Sequence, residues 1–245
     1  MKIVTVFAHQ DDEMRCLGTL LRLREVGHLI AMVCVSSGNK GLAFGNADDQ
    51  ARAAAVRAAE MRSVADELGA EYHCLDREDG FVWEDAALRR ELIALLRELG
   101  AELILTHWAT DYNSDHMATA NAVVNAALFV NLPSFEPSTP ALENVPAIFH
   151  VNPGDGYGFE ATHFVELDDE LAETKARLVR QHVSQMAVMR QLRGRDYADD
   201  MDDEDRRQGA RLMVDRAESF RPCLSERRIP WQSVLPGPIT PKEFA

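Results

Sequence analysis

Cysteine is scarce and scattered in this 245-residue chain: Cys16, Cys34, Cys74 and Cys223 form no C-x-x-C pair, and three lie in apolar or mixed segments, where free thiols are commonly buried. Positive charge is also short, with 26 lysines and arginines against 40 aspartates and glutamates and a formal charge of −14. That balance argues against a nucleic-acid or anionic-membrane surface and leaves neutral or cationic small molecules as easier partners. The N-terminus "MKIVTVFAHQDDE" lacks the long apolar region and small-residue cleavage site of a signal peptide. No stretch reaches the roughly 20 apolar residues that a membrane helix needs, so a cytoplasmic protein is expected. Strand one is not followed by G-x-G-x-x-G, and the loop "NPGDGYGFE" lacks the order and lysine of a phosphate cradle. There is no internal repeat and no sharp shift in composition. A single domain over 1–245 is expected, with a proline-rich C-terminal tail from about 219.

What is present is an alternation of strand and helix patterns. Hydrophobic residues make up 46%, enough for a sizeable core. "KIVTVFA", "LIAMVCVSSG", "AEYHCL" and "AELILTH" read as strands. Helical spacing follows each of them, in "CLGTLLRLREVGH", the run from Asp48 to Leu68, "DAALRRELIALLRELG" and "DHMATANAVVNAAL". This pattern predicts an α/β fold, Rossmann-like, with a mostly parallel sheet in the order 3-2-1-4-5 and helices on both faces. Beyond a proline-rich connection, "AIFHV" and "THFVEL" read as two further strands. A single helix is expected from about Asp168 to Leu192, then an acidic helical stretch near Met201 to Ala217.

Open parallel sheets bind ligands beyond the carboxyl ends of their strands, where the strand order reverses. "AHQDDE" directly follows strand one and "THWATDYNSDH" directly follows strand four. In the predicted order those strands are neighbours, so two His/Asp clusters about 100 residues apart meet at one point. Imidazole and carboxylate groups suit a divalent cation that keeps a position open for water, and a spare carboxylate beside it can take the water's proton. The plain alternative for "HQDDE" alone is a helix start capped by acidic residues. The second cluster weighs against it.

These residues carry a family resemblance. "AHQDDE" resembles the A-H-x-D-D-E signature of the LmbE/PIG-L zinc-dependent N-deacetylases. "SSGNKG", "VRAAEMRSVADELG", "DYNSDHMATANAV", "QHVSQ" and "AESF" are similar to later features of that family, in order. The resemblance implies an LmbE-like fold, with His9, Asp12 and His116 as ligands of Zn2+ or another divalent metal such as Fe2+. It implies Asp11 as general base, Asp115 as an orienting residue, and Arg57 close to the substrate. Glu13 reads as a supporting or helix-capping residue. The implied reaction is removal of an N-acyl group, most simply N-acetyl, from an amino sugar or sugar conjugate. Relatives commonly assemble, so a homo-oligomer is also open to this chain.

One departure matters. Where many members have histidine, this chain has Asn113, which can donate a hydrogen bond to an oxyanion but cannot supply a proton. Either Asp11 carries the proton both ways, another residue such as Tyr112, His107 or His163 helps, or activity is weak. His107, at the end of strand four, and His163, in "THFVEL", are candidates to touch substrate. His28, His73 and His182 read as surface or helix-end residues. Three rivals remain: a zinc amidase acting on another amide such as a thiol-sugar conjugate, a metal- or ligand-binding protein without turnover, and a metal-dependent phosphoesterase.

Overall fold

The computed structural model describes residues 1–154, 157–230 and 235. Its centre is a seven-stranded sheet in the order β3-β2-β1-β4-β5-β7-β6. The strands are β1 (Lys2–Phe7), β2 (Leu29–Ser36), β3 (Glu71–Arg77), β4 (Leu103–Thr106), β5 (Ala147–Val151), β6 (His163–Glu166) and β7 (Ala217–Pro222). The first five are parallel and follow the expected 3-2-1-4-5 order. β7 then pairs antiparallel with both β5 and β6.

The helices are α1 (Leu17–Glu25), α2 (Ala47–Leu68), α3 (Ala86–Leu99), α4 (Ser114–Ala127), α5 (Asp169–Val179), α6 (Val183–Arg193) and α7 (Tyr197–Ala210). They cover both faces of the sheet. On β1, Ile3 and Phe7 face one apolar cluster, shared with Leu17, Met61, Leu178, Met186 and Met201 from α1, α2 and α5 to α7. Val4 and Val6 face the other, shared with Leu92 of α3 and Val123 of α4. Alternate residues thus feed opposite cores, which is why the parallel strands read as continuous apolar runs. Phe7, Phe149 and Phe220 are all but fully buried, each worth roughly 1.5–3 kcal/mol of apolar transfer.

Helix ends follow local chemistry. Asn46 forms a capping box with Asp49 at the start of α2, and Asp85 caps α3 through Leu88 N at 2.7 Å. The proline-rich connection after α4 is organised by the buried Arg97, whose guanidinium donates to the carbonyls of Phe129, Val130, Leu132, Glu136 and Thr139.

Three expectations are corrected. The helix foreseen from Asp168 to Leu192 is two helices, broken between Val179 and Val183. The acidic helix ends at Ala210, and residues 217–222 form β7, so the tail foreseen from about 219 starts inside an interior strand. β7 escapes a sequence reading because its buried residues include Glu218 and Ser219. Residues 231–234 and 236–245 of the tail and 155–156 of the "NPGDGYGFE" loop lie outside the described residues. No described helix is long and apolar enough to cross a membrane.

Candidate metal and active site

β1 and β4 lie side by side in register, Val6 opposite Thr106, so the segments leaving their carboxyl ends meet. Ala8 N donates to His107 Nε2 at 2.9 Å and ties the two segments together. Asp12 opens a 3-10 turn (Asp12–Arg15), and its carboxylate accepts from His9 N at 2.7 Å. That one carboxylate faces three imidazoles. Oδ1 is 3.2 Å from His116 Nε2, while Oδ2 is 3.2 Å from His107 Nε2 and 3.3 Å from His9 Nδ1.

Around this centre lie further acids. His9 Nε2 is 3.2 Å from Asp79 Oδ1 and 3.4 Å from Asp115 Oδ2. His116 Nδ1 is 3.1 Å from Asp111 Oδ2, and its ring stacks on His107 at 3.9 Å. Within the groups His9–Asp12–His116, His107–Asp111–His116 and His9–Asp79–Asp115, the ligand atoms lie within 4.8 Å of one another. Two nitrogens and a carboxylate in one buried spot are the donor set that a divalent ion such as zinc or iron(II) accepts.

The electrostatics agree. Burial disfavours charge on His9, yet its hydrogen bonds to Asp115, Asp12 and Asp79 win and hold it well above the usual imidazole value. Burial likewise opposes charge on His116, and Asp12 with Asp111 raises it to about 9. His107 moves the other way, to about 4, through burial and the neighbouring His116 charge. Despite burial, Asp12 stays well below the carboxylate range because of His116 and His107. The protein alone offsets these carboxylates by holding protons on two imidazoles, and a cation does the same with fewer bound protons.

Asp11 is set apart. Its backbone has φ 114°, in the half of conformational space that favours glycine. Asp11 N donates to Glu13 Oε2 at 2.9 Å, and Glu13 Oε1 lies 2.6 Å from His182 Nε2. Arg57 Nη2 donates to Asp11 Oδ1 at 2.9 Å and also to the Gln10 carbonyl. Burial lifts the Asp11 carboxyl to about 6, with Arg57 pulling it down. It is therefore a moderately basic carboxylate that the imidazole cluster does not engage.

The other expected residues divide. Asp115, fully buried, accepts from Gly80 N at 2.7 Å and Val82 N at 3.2 Å, which pins the loop carrying Asp79 against His9. Asn113 caps α4, its Oδ1 accepting from Asp115 N at 2.8 Å. Tyr112 is 57% exposed and sets its ring edge-on to His116 at 5.4 Å. His107 is a buried wall of the cluster. His163 is not brought to the cluster by any described contact. It stands on edge strand β6, hydrogen-bonded to Thr162 and packed on Phe149.

The sequence reading missed Asp79, Asp111 and the buried Glu13–His182 pair. Asp79 sits beside Gly80 in a loop whose approach to His9 depends on Asp115. His182 is not a surface residue: it is fully buried in the break between α5 and α6, turned onto Glu13. Gly38, after β2, has φ +67°, and a Cβ there would stand 2.4 Å from Gln10 Oε1 and 2.8 Å from Arg57 Cδ. Gly38→Ala should therefore displace Arg57 and cost about 1–3 kcal/mol, read as a melting temperature lower by roughly 3–10 °C. An unchanged melting temperature would show that Arg57 yields freely.

Among known families, the one described as PIG-L: GlcNAc-PI de-N-acetylase matches residues 4–127. No curated protein sequence matches the chain. Several solved structures share the fold. N,N'-diacetylchitobiose deacetylase from Pyrococcus horikoshii is 20% identical, with TM-score 0.79 over 91% of this chain and 83% of its own. The 4-carboxy-2-hydroxymuconate hydratase of Pseudomonas putida KT2440 is 17% identical, with TM-score 0.73 over 94% and 98%. A zinc-inhibited form of teicoplanin deacetylase is 15% identical, with TM-score 0.67 over 91% and 97%.

Proposed function

The chain belongs to the PIG-L family of GlcNAc-PI de-N-acetylases, and on that premise we propose that it hydrolyses an N-acyl group, most simply N-acetyl, on an amino sugar or sugar conjugate. The proposed metal ligands are His9, Asp12 and His116, with zinc as the first candidate and iron(II) as the second. The observation that carries the reading is a moderately basic, separately held carboxylate, Asp11, beside a donor set of two imidazoles and a carboxylate. A cation bound there supplies Lewis acidity toward the attacking water and the acyl carbonyl.

The rest belongs to the chain's own residues. Asp11 takes a proton from the water as its oxygen attacks the acyl carbon, with Arg57 holding the carboxylate in place. Asn113 spends its oxygen on the helix cap, and His107 is buried and neutral. Proton return to the nitrogen therefore falls to Asp11 as the C–N bond breaks and acetate and a free amine leave. Tyr112, whose ring lies edge-on to His116, is the proposed donor toward the oxygen that gains charge. Asp79 and Asp115 orient His9.

A hydratase with the same fold makes addition of water to a double bond the second reading. Acetate release decides between them. Purified protein should carry close to one divalent ion per chain by elemental analysis and release acetate from N-acetylglucosamine or its conjugates. His116→Ala should lose the ion and the activity together. No ion after reconstitution, or an ion with no amide cleaved across the panel, overturns the reading.

A further inference from the structure

A cavity of about 510 Å³ lies beside the site and is lined by residues from distant parts of the chain, among them Arg15, Tyr112, Gly154, Tyr157, Arg195 and Arg207. Arg15 also lines the small cleft formed by Asp12, His107, Asp111 and His116. It stands where the reacting centre opens into the larger space. Three arginines of the larger wall are matched by acids: Arg193 with Asp200 at 3.6 Å, Arg195 with Asp203 at 2.7 Å, and Arg207 with Glu204.

Arg15 makes no hydrogen bond or ion pair of its own among the described residues; its charge acts only at longer range, as on Glu204, which Arg207 already pairs. Nor is it needed to neutralise the acids nearby. Asp11 is paired with Arg57, Asp12 with three imidazoles, Asp111 with His116 and Glu13 with His182. The backbone of Gly154 comes so close that a Cβ there would stand 3.3 Å from Arg15 Nη1, which confines the guanidinium at the junction of the two spaces. An unpaired, confined guanidinium presents a fork of donors that fits a carboxylate or a phosphate.

We propose that Arg15 and the cavity beyond it form a subsite for an anionic substituent, a carboxylate or a phosphate, on the amine-bearing part of the substrate. This rests on the deacetylase reading, because it takes the N-acyl group to lie at the His/Asp cluster. It also reverses locally the lean toward neutral or cationic partners that the net charge of −14 suggests.

The test measures equilibrium binding to the metal-loaded Asp11→Asn protein, which needs no turnover. The probes are N-acetylglucosamine, N-acetylglucosamine 1-phosphate and N-acetylmuramic acid. At least one anionic probe should bind about ten- to a hundredfold more tightly than the neutral sugar, the range of a charge-assisted hydrogen-bond pair. Which probe gains separates phosphate from carboxylate. Adding Arg15→Gln should collapse the anionic-to-neutral ratio toward one, and Arg15→Lys should restore part of it. No preference in the parent, or a ratio that survives Arg15→Gln, overturns the subsite. Acetate release by the unsubstituted enzyme is followed separately. Release without anionic preference ends the subsite alone, whereas Arg15-dependent preference without release ends the deacetylase reading alone.

Discussion

Asp11→Asn should lower kcat by about a thousandfold, within the range of ~10²–10⁴ that a positioned general base contributes, while the divalent ion stays bound. The substitution is mild for the fold. Asparagine is among the residues that best tolerate positive φ, and its side-chain oxygen can still accept from Arg57. The proposed metal ligands His9, Asp12 and His116 are untouched. Acetate release, metal content and melting temperature measured on one preparation check the prediction. Activity within tenfold of the parent would remove Asp11 from the role of base. Loss of the ion would instead make Asp11 part of the metal site.

Lys175→Met should lower stability by about 3–5 kcal/mol, a melting temperature lower by roughly 10 °C for a chain of this size. Lys175 is buried between α5, α7 and β7, with Nζ 2.6 Å from Asp205 Oδ2 and 2.7 Å from Glu218 Oε1. Glu218 also accepts from Gly18 N at 2.9 Å and Thr19 N at 2.7 Å, so it caps the start of α1 from across the molecule. Without the ammonium, two carboxylates remain buried together with no cation. Burial already raises Asp205, Lys175 lowers it and Glu218 raises it again. In the variant the lowering influence is gone, so the folded-state pKa rises further above the unfolded value. Such a group's stability is retained below the unfolded carboxylate pKa and lost as pH climbs through the folded one. The deficit in melting temperature should therefore be larger at pH 8 than at pH 5. An equal deficit at both would mean that packing of the lysine stem, not charge, sets the loss.

The order of the first five strands was legible because each parallel strand is an apolar run followed by a helix with plain start and stop signals. The meeting of His9, Asp12 and His116 was legible for the same reason. His9 and Asp12 lie in the segment leaving β1 and His116 in the first turn of α4, the helix that follows β4, and the adjacency of those two strands follows from the order. The break before His182 was not, since "VRQHVSQ" contains neither proline nor glycine. What ends α5 there includes a tertiary contact, the imidazole of His182 on Glu13. β7 was hidden because its polar residues are satisfied by distant partners: Glu218 by Lys175 and the α1 start, Ser219 by Asn152. Asp79 was hidden likewise, its loop being fixed by the carboxylate of Asp115. Where a residue's role depends on a partner far along the chain, local pattern does not reach it.

The strand order has a consequence for how the chain is made. β6 is at the edge of the sheet and pairs with β7, which is some fifty residues further along and is the last strand of the described fold. A ribosome therefore releases β6 and the three helices after it before their sheet neighbour exists. Until Glu218 arrives, the start of α1 lacks its cap, and Lys175 lacks one of its two counter-charges. The segment holding Asp11 and Asp12 immediately precedes that helix. Nascent chains should thus carry an uncapped α1 beside the proposed metal site until the last described strand has slid between two that were waiting for it.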